Sequence, residues 1–221
     1  MENENNKSIL LIGGGGHCHS VLDTLLSCGQ YDRIGIIAKD ADNYKELQDD
    51  GMVSGYLVGV DEELPRLLSS GWKEAFITLG SIGNPVGRRK IHALLKELGF
   101  RIPLIIDKTA AVSKNANIGS GVFVGKNAVI NAGCTIGDFA IINTGAIVEH
   151  DCRIGSFVHV SPGAVICGHV SVGEGSHIGA GSAVCQEIDI GKNVLIGAGS
   201  VVVGDVPDNV KAYGNPCKVV E

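Results

Sequence analysis

His150 stands between two carboxylates, Glu149 and Asp151. An imidazole that donates one ring N–H to a carboxylate has its tautomer fixed and its other nitrogen made more basic, which is general-base chemistry. The bland alternative is a solvated surface histidine. A second candidate is Gly13-Gly14-Gly15-Gly16-His17, which follows an apolar run and precedes a helical pattern. A glycine turn of that kind aims backbone N–H groups and the positive end of a helix at an anion, above all a phosphate. The dinucleotide fingerprint is incomplete, because Gly13-x-Gly15 is followed by Cys18 where its third glycine belongs. A single nucleotide or phosphate therefore leads, ahead of a tight turn with no ligand. His17-Cys18-His19 has metal-binding residue types, but neighbours at a helix start diverge and no partner pair follows at ligand spacing, so no metal is expected.

Both candidates need elements to hold them, and the second half of the chain announces its own. From Val112, every sixth residue through Val202 is Val or Ile, sixteen positions without a slip. Ile, Leu and Val make up 63 of 221 residues. Chance agreement over sixteen positions is then on the order of 10⁻⁹. Four places after each aliphatic the residue is nearly always small, as at Ala128, Cys134, Ala146, Cys152 and Ser176. One place after it, Gly or a turn-tolerant residue recurs, and these glycines are expected to supply corner angles that a β-carbon disfavours. This is the hexapeptide pattern of a parallel β-helix, in which residues 18 apart stack at about 4.8 Å. His150 lies two places after inward Val148 and two before inward Cys152, so it points outward. Its column reads Ala132, His150, Gly168, Gln186, and the small neighbours are expected to leave a slot beside the ring. His159 and His177 share another outward column, where His177 reads as solvated surface.

The first half alternates strand and helix. Residues 8–12 read as a buried parallel strand, and Val21, Leu22, Leu25 and Leu26 form a helical stripe ended by Gly29. A strand at Ile34–Ala38 precedes an irregular stretch. A helix follows at Glu62–Ser70, then a strand at Ala75–Leu79, and a helix from about Arg88 to Leu98 closed by Gly99. The prediction is a small α/β domain with a parallel sheet over 1–107 and a β-helix with a C-terminal tail over 108–221. A net charge of −6 argues against nucleic acid or an anionic membrane surface as partner. No apolar run approaches the ~20 residues of a membrane span. The polar start Met1–Lys7 is unlike a signal peptide, so a cytoplasmic location is expected, with the seven cysteines reduced.

Gly13–His17, Leu79-Gly80, Val148-Glu149-His150-Asp151-Cys152 and the ending Gly214-Asn215-Pro216-Cys217-Lys218 together resemble the PglD/NeuD family of sugar acyltransferases. The resemblance runs over nearly the whole chain and implies a small Rossmann-like domain followed by a left-handed β-helix. It also implies acetyl-CoA as co-substrate, with no metal. It places the general base at His150 and the acid that raises its basicity at Asp151, and has His159, Gly168, Ala180 and Ala198 line the path of acetyl-CoA. Sugar-nucleotide phosphates would meet Gly15, Gly16 and His17, near Gly80. Sugar-nucleotide members of the family carry an Asp pair after the second strand, whereas this chain has Ile37-Ala38-Lys39-Asp40, so Lys39 is expected to meet a phosphate or a carboxylate instead.

The reaction so implied is direct attack of an acceptor on the acetyl thioester, since no cysteine stands in a base-paired setting to act as nucleophile. The leading acceptor is the amine of a UDP-4-amino-sugar, with O-acetylation of sialic acid or another sugar as the alternative. A non-catalytic sugar-nucleotide binding module is more distant. A zinc hydratase on the same β-helix would need three convergent histidines and no α/β domain in front. Because the site consists of outward residues it needs a second wall, and a cyclic homotrimer with sites at its interfaces is expected.

Overall fold

The computed structural model describes residues 7–38 and 56–220. The chain divides into two compact units, one of residues 7–80 and 86–103 as far as described, the other of 81–85 and 104–220.

The first unit is built on four parallel strands: β1 (Ser8–Ile12), β2 (Arg33–Ile37), β3 (Tyr56–Gly59) and β4 (Glu74–Ile77). They lie in the order β3-β2-β1-β4. β1 and β4 are apolar after their first residue, as suits a parallel sheet covered by helices, and Ile9, Leu10, Leu11, Ala75 and Phe76 are buried. The helices are α1 (Gly16–Cys28), α2 (Leu64–Ser69) and α3 (Val86–Leu98). Gly29 ends α1 in the left-handed conformation (φ 61°) and donates its N–H to the Leu25 carbonyl, as its position after the helical stripe predicts. The helix expected over Glu62–Ser70 is a single 3₁₀ turn at Asp61–Glu63 that passes into α2. β3 falls at the end of the stretch read as irregular; it is only four residues long and ends on a glycine, too little for its period to register.

The chain leaves β1 for β2 and β3 on one side, then returns to β4 on the other. The strand order therefore reverses between β1 and β4, the point where open α/β sheets bind ligands beyond their C-terminal ends. Gly13 and Leu79-Gly80 lie there.

The second unit is a parallel β-solenoid of the left-handed hexapeptide type, about six turns long. Every one of the sixteen aliphatic positions from Val112 to Val202 ends a two-residue strand. The strands form three sheets in which neighbours are 18 residues apart and in register, as Val148 is with Ile130 and Ile166. The pattern starts one rung earlier than Val112, at β5 (Ile105–Ile106), which pairs with Phe123–Val124. It closes with a shortened coil in which Ile196 pairs with Ala212.

The core is the inward aliphatic column set together with the small positions, among them Ala128, Cys134, Ala146 and Cys152, all fully buried. The buried hydroxyls at those small positions are paired: Ser176 Oγ donates to the Gly191 carbonyl at 2.7 Å and Ser182 Oγ to Gly197 at 2.9 Å. Cys134 and Cys152 likewise donate their thiols to the Glu149 and Cys167 carbonyls, both at 3.0 Å.

The corner geometry corrects one expectation. The recurring glycine one place after the aliphatic has no positive φ; it is there for close approach. A Cβ on Gly179 would sit 2.4 Å from the Ala198 nitrogen of the next coil. The left-handed residue comes two places later, at every sixth position from Gly121 to Gly199, and is often not glycine: Asn127, Phe139, Asp151, Phe157, His169, Glu187 and Asn193 all occupy it.

Candidate active site

Asp151 and His169 are successive left-handed corner residues of one column, with φ of 59° each. Their N–H groups donate to the Ala132 and His150 carbonyls, at 2.9 and 3.0 Å, so each coil fixes the corner of the next. His150 is the residue just before Asp151 in that corner. Its Nδ1 lies 3.0 Å from Asp151 Oδ2, and both side chains are about half exposed, at 54% and 52%. Nδ1–H donating to the carboxylate leaves Nε2 as the free acceptor. Glu149, the other carboxylate beside His150, does not meet the ring: its Oε2 accepts from Asn131 Nδ2 at 2.9 Å and from the His150 backbone N–H at 3.3 Å. Of the two flanking acids, Asp151 is the one that engages the ring.

The expected slot is partly filled by the imidazole itself. Gly168 is buried beneath the ring, and a Cβ there would lie 2.6 Å from His150 Cε1 and 2.7 Å from Nε2. The glycine is what lets the ring lie down over the coil; Ala132, on the other side, stays exposed.

His159 and His177 stack edge-to-face, with centroids 4.9 Å apart. Both are buried, which overturns the reading of His177 as solvated surface. The segment 81–85 covers them. The Ser81 carbonyl accepts from His159 Nδ1 at 2.8 Å, and Gly83 passes so close to Leu195 that a Cβ would collide with it. His159 Nε2 faces Asn143 Nδ2 at 3.1 Å, and His177 Nε2 faces Ser161 Oγ at 3.2 Å. Burial pushes the His177 pKa below its ordinary value, and the Ser81 carbonyl opposes this in part.

In the first unit, α1 starts at Gly16 with no capping side chain and no acidic residue in its first turn. A Cβ on Gly15 or Gly16 would meet nothing within 4 Å, so no neighbouring side chain crowds the start of the helix. Gly13 (φ 115°) passes against Leu79, where a Cβ would lie 2.9 Å from its Cδ2, and Gly80 passes 3.7 Å (as Cβ) from His17 Cβ. His17 is half-buried, Cys18 buried and His19 exposed, so the three residues of the His-Cys-His run diverge.

A family model for the PglD N-terminal domain matches residues 8–95. The six-repeat bacterial transferase hexapeptide model matches 115–150 and 151–186, and a hexapeptide repeat of succinyl-transferase matches 187–205. Among solved structures, the chain is similar to PerB from Caulobacter crescentus in complex with CoA and GDP-perosamine, at 37% identity, 97% of each chain covered and a TM-score of 0.87. The chain belongs to the PglD/NeuD family of sugar acyltransferases. It is also similar to the acetyltransferase domain of PglB from Neisseria gonorrhoeae in complex with acetyl coenzyme A, at 33% identity, covering 97% of this chain and 100% of that one, with a TM-score of 0.84. A comparison with curated protein sequences gave no match.

Within this acyltransferase, the structure brings His150, Asp151 and Gly168 together on one corner and places Gly15, Gly16, His17 and Gly80 beyond the C-terminal ends of β1 and β4. His159 lies on a different sheet of the solenoid from Val148, in register with Ile141 and His177. Ala180 and Ala198 are exposed and stack in a third column, at another corner. Lys39 and Asp40 lie outside the described residues. Sequence reasoning gave no role to His169. Its Nε2 is 3.7 Å from Asp151 Oδ2, and its ring meets that of His150 edge-on at 5.2 Å. The signal was its spacing of 18 from Asp151, which places the two side by side in one column.

Proposed function

We propose that this acyltransferase transfers the acetyl group of acetyl-CoA to the amine of a nucleotide-linked amino sugar, with a UDP-4-amino-sugar as the leading acceptor. The observation that carries the reading is the His150–Asp151 pair at 3.0 Å on an exposed corner, with Nε2 left free. The amine nitrogen attacks the thioester carbonyl carbon while His150 Nε2 takes its proton. The C–S bond then breaks, and the imidazolium returns the proton to the departing CoA sulfur. Asp151 holds the tautomer and stabilises the imidazolium. Burial holds the Cys152 thiol up at about 11 and raises Cys134 and Cys167 as well, which favours direct attack over an acyl-cysteine.

Gly15, Gly16 and His17, at the start of α1, are assigned the diphosphate; Gly80 borders them, and Lys39 is assigned a further anionic contact. The likeness to PerB, whose structure holds CoA and GDP-perosamine, supports a nucleotide-linked acceptor. A cyclic homotrimer completes the site. His150 and Gly168 of one chain face the column of Ala180 and Ala198 of the next, and acetyl-CoA runs between them past His159.

The test is an acetylation assay with UDP- and GDP-linked 4-amino-sugars against free sialic acid. Turnover with a nucleotide amino sugar and none with sialic acid is expected. Turnover with sialic acid alone would overturn the acceptor.

A further inference from the structure

His150, Asp151 and His169 each offer one ligand atom, and these atoms lie within 4.8 Å of one another. Among the described residues this is the one place where three such groups converge. We propose that the corner is a binding site for a transition-metal dication of the zinc, nickel or copper kind, and that its occupancy switches the enzyme off. The inference rests on His150 being the base.

Two imidazoles and a carboxylate form a nitrogen-rich set suited to these metals rather than to magnesium or calcium, which take oxygen ligands. Zinc with ligands at 2.0–2.1 Å in a tetrahedron holds its ligand atoms about 3.3 Å apart. The separations from Asp151 Oδ2, 3.0 Å to His150 Nδ1 and 3.7 Å to His169 Nε2, bracket that value. The two histidines need only swing toward each other. Side-chain exposures of 54%, 52% and 57% leave room for that movement and for water as a fourth ligand. The backbone beneath is fixed by corner-to-corner hydrogen bonds, so only rotamers have to change.

The consequence for the base follows from where its proton sits. With Nδ1 facing Asp151 at 3.0 Å, resting His150 is assigned the Nδ1–H tautomer, which keeps Nε2 free. A metal bound at Nδ1 displaces that proton to Nε2, and the ring stays neutral. Nε2 then has no lone pair for the proton of the attacking amine. The metal thus removes the base, and it lowers kcat.

His169 makes the difference between two adjacent ligands and a three-point site. The experiment is calorimetric titration of the metal-free full chain with zinc chloride, wild type beside His169→Gln, followed by steady-state kinetics with and without zinc. Saturable binding in the wild type, weakened about tenfold or more by His169→Gln, is expected. Zinc should lower the wild-type kcat, a chelator should restore it, and the kcat of His169→Gln should not change when zinc is added. Equal zinc affinity in the two proteins, or no saturable binding by the wild type, would overturn the site. Binding that depends on His169 while His150→Ala keeps full turnover would leave the site standing and remove the base assignment, so the two failures are distinct.

Discussion

The base assignment turns on a choice between two carboxylates that the sequence leaves open. Glu149 is committed to Asn131, and Asp151, held in a left-handed corner, is the one at Nδ1. His150→Ala should therefore lower kcat by about 10²–10⁴ while leaving acetyl-CoA binding largely intact. Asp151→Asn, which can keep the same corner conformation, should cost less. Wild-type turnover in His150→Ala would end the assignment. Gly168→Leu makes a sharper case, because its side chain would enter space the imidazole already occupies. The ring must lift off the coil, so kcat should fall with little change in Tm; an unchanged kcat would mean that the position of the ring is immaterial. His150 was legible from its acidic neighbours and its outward phase. His169 was not, because a left-handed corner accepts Gly, Asp, His and Glu alike, and hydropathy marks no pattern there.

At the scale of the elements, the period of six was legible because an inward position in a dry triangular core accepts almost nothing but Val or Ile. What lies against the outer faces was not. His177 is buried by a segment more than ninety positions earlier in the chain, and no local pattern foretells that contact. It has a measurable consequence. The folded chain holds His177 below the 6.5 of the unfolded state, so below about pH 6.5 the unfolded chain takes up a proton that the folded chain refuses. Its contribution is complete above that pH and is lost on acidification. His177→Gln should flatten the fall in Tm between about pH 7 and 5, and an unchanged slope would count against it. The two kinds of corner glycine also separate by experiment. Gly163 (φ 66°) faces open space, and Asn occupies the same corner column at Asn127, so Gly163→Asn should cost under about 1 kcal/mol. Gly179→Ala, driven into the next coil's backbone, should cost about 1–3 kcal/mol by thermal melting.

At the scale of the whole molecule, the assembly decides whether one chain can do the chemistry alone. His150 and Gly168 occupy one corner column of the solenoid, Ala180 and Ala198 another, with one side of the triangle, about 15 Å of extended chain, between them. In a cyclic trimer the interfaces are heterologous, so one column of each chain meets a different column of its neighbour. That arrangement would give the half-exposed His150 its second wall. It also makes a demand that a monomer could not meet. His150→Ala disables only the corner its own chain supplies, and Ala198→Trp blocks only the donor wall its own chain supplies. Trimers of either variant alone should be inactive. Trimers that carry both variants should recover about a third of the wild-type sites, the one interface in three that pairs an intact His150 with an intact Ala198. Co-expression of the two variants with different tags, isolation of particles carrying both, and assay of acetyl transfer would measure this. No recovery in doubly tagged particles would mean that each chain supplies both walls of its own site.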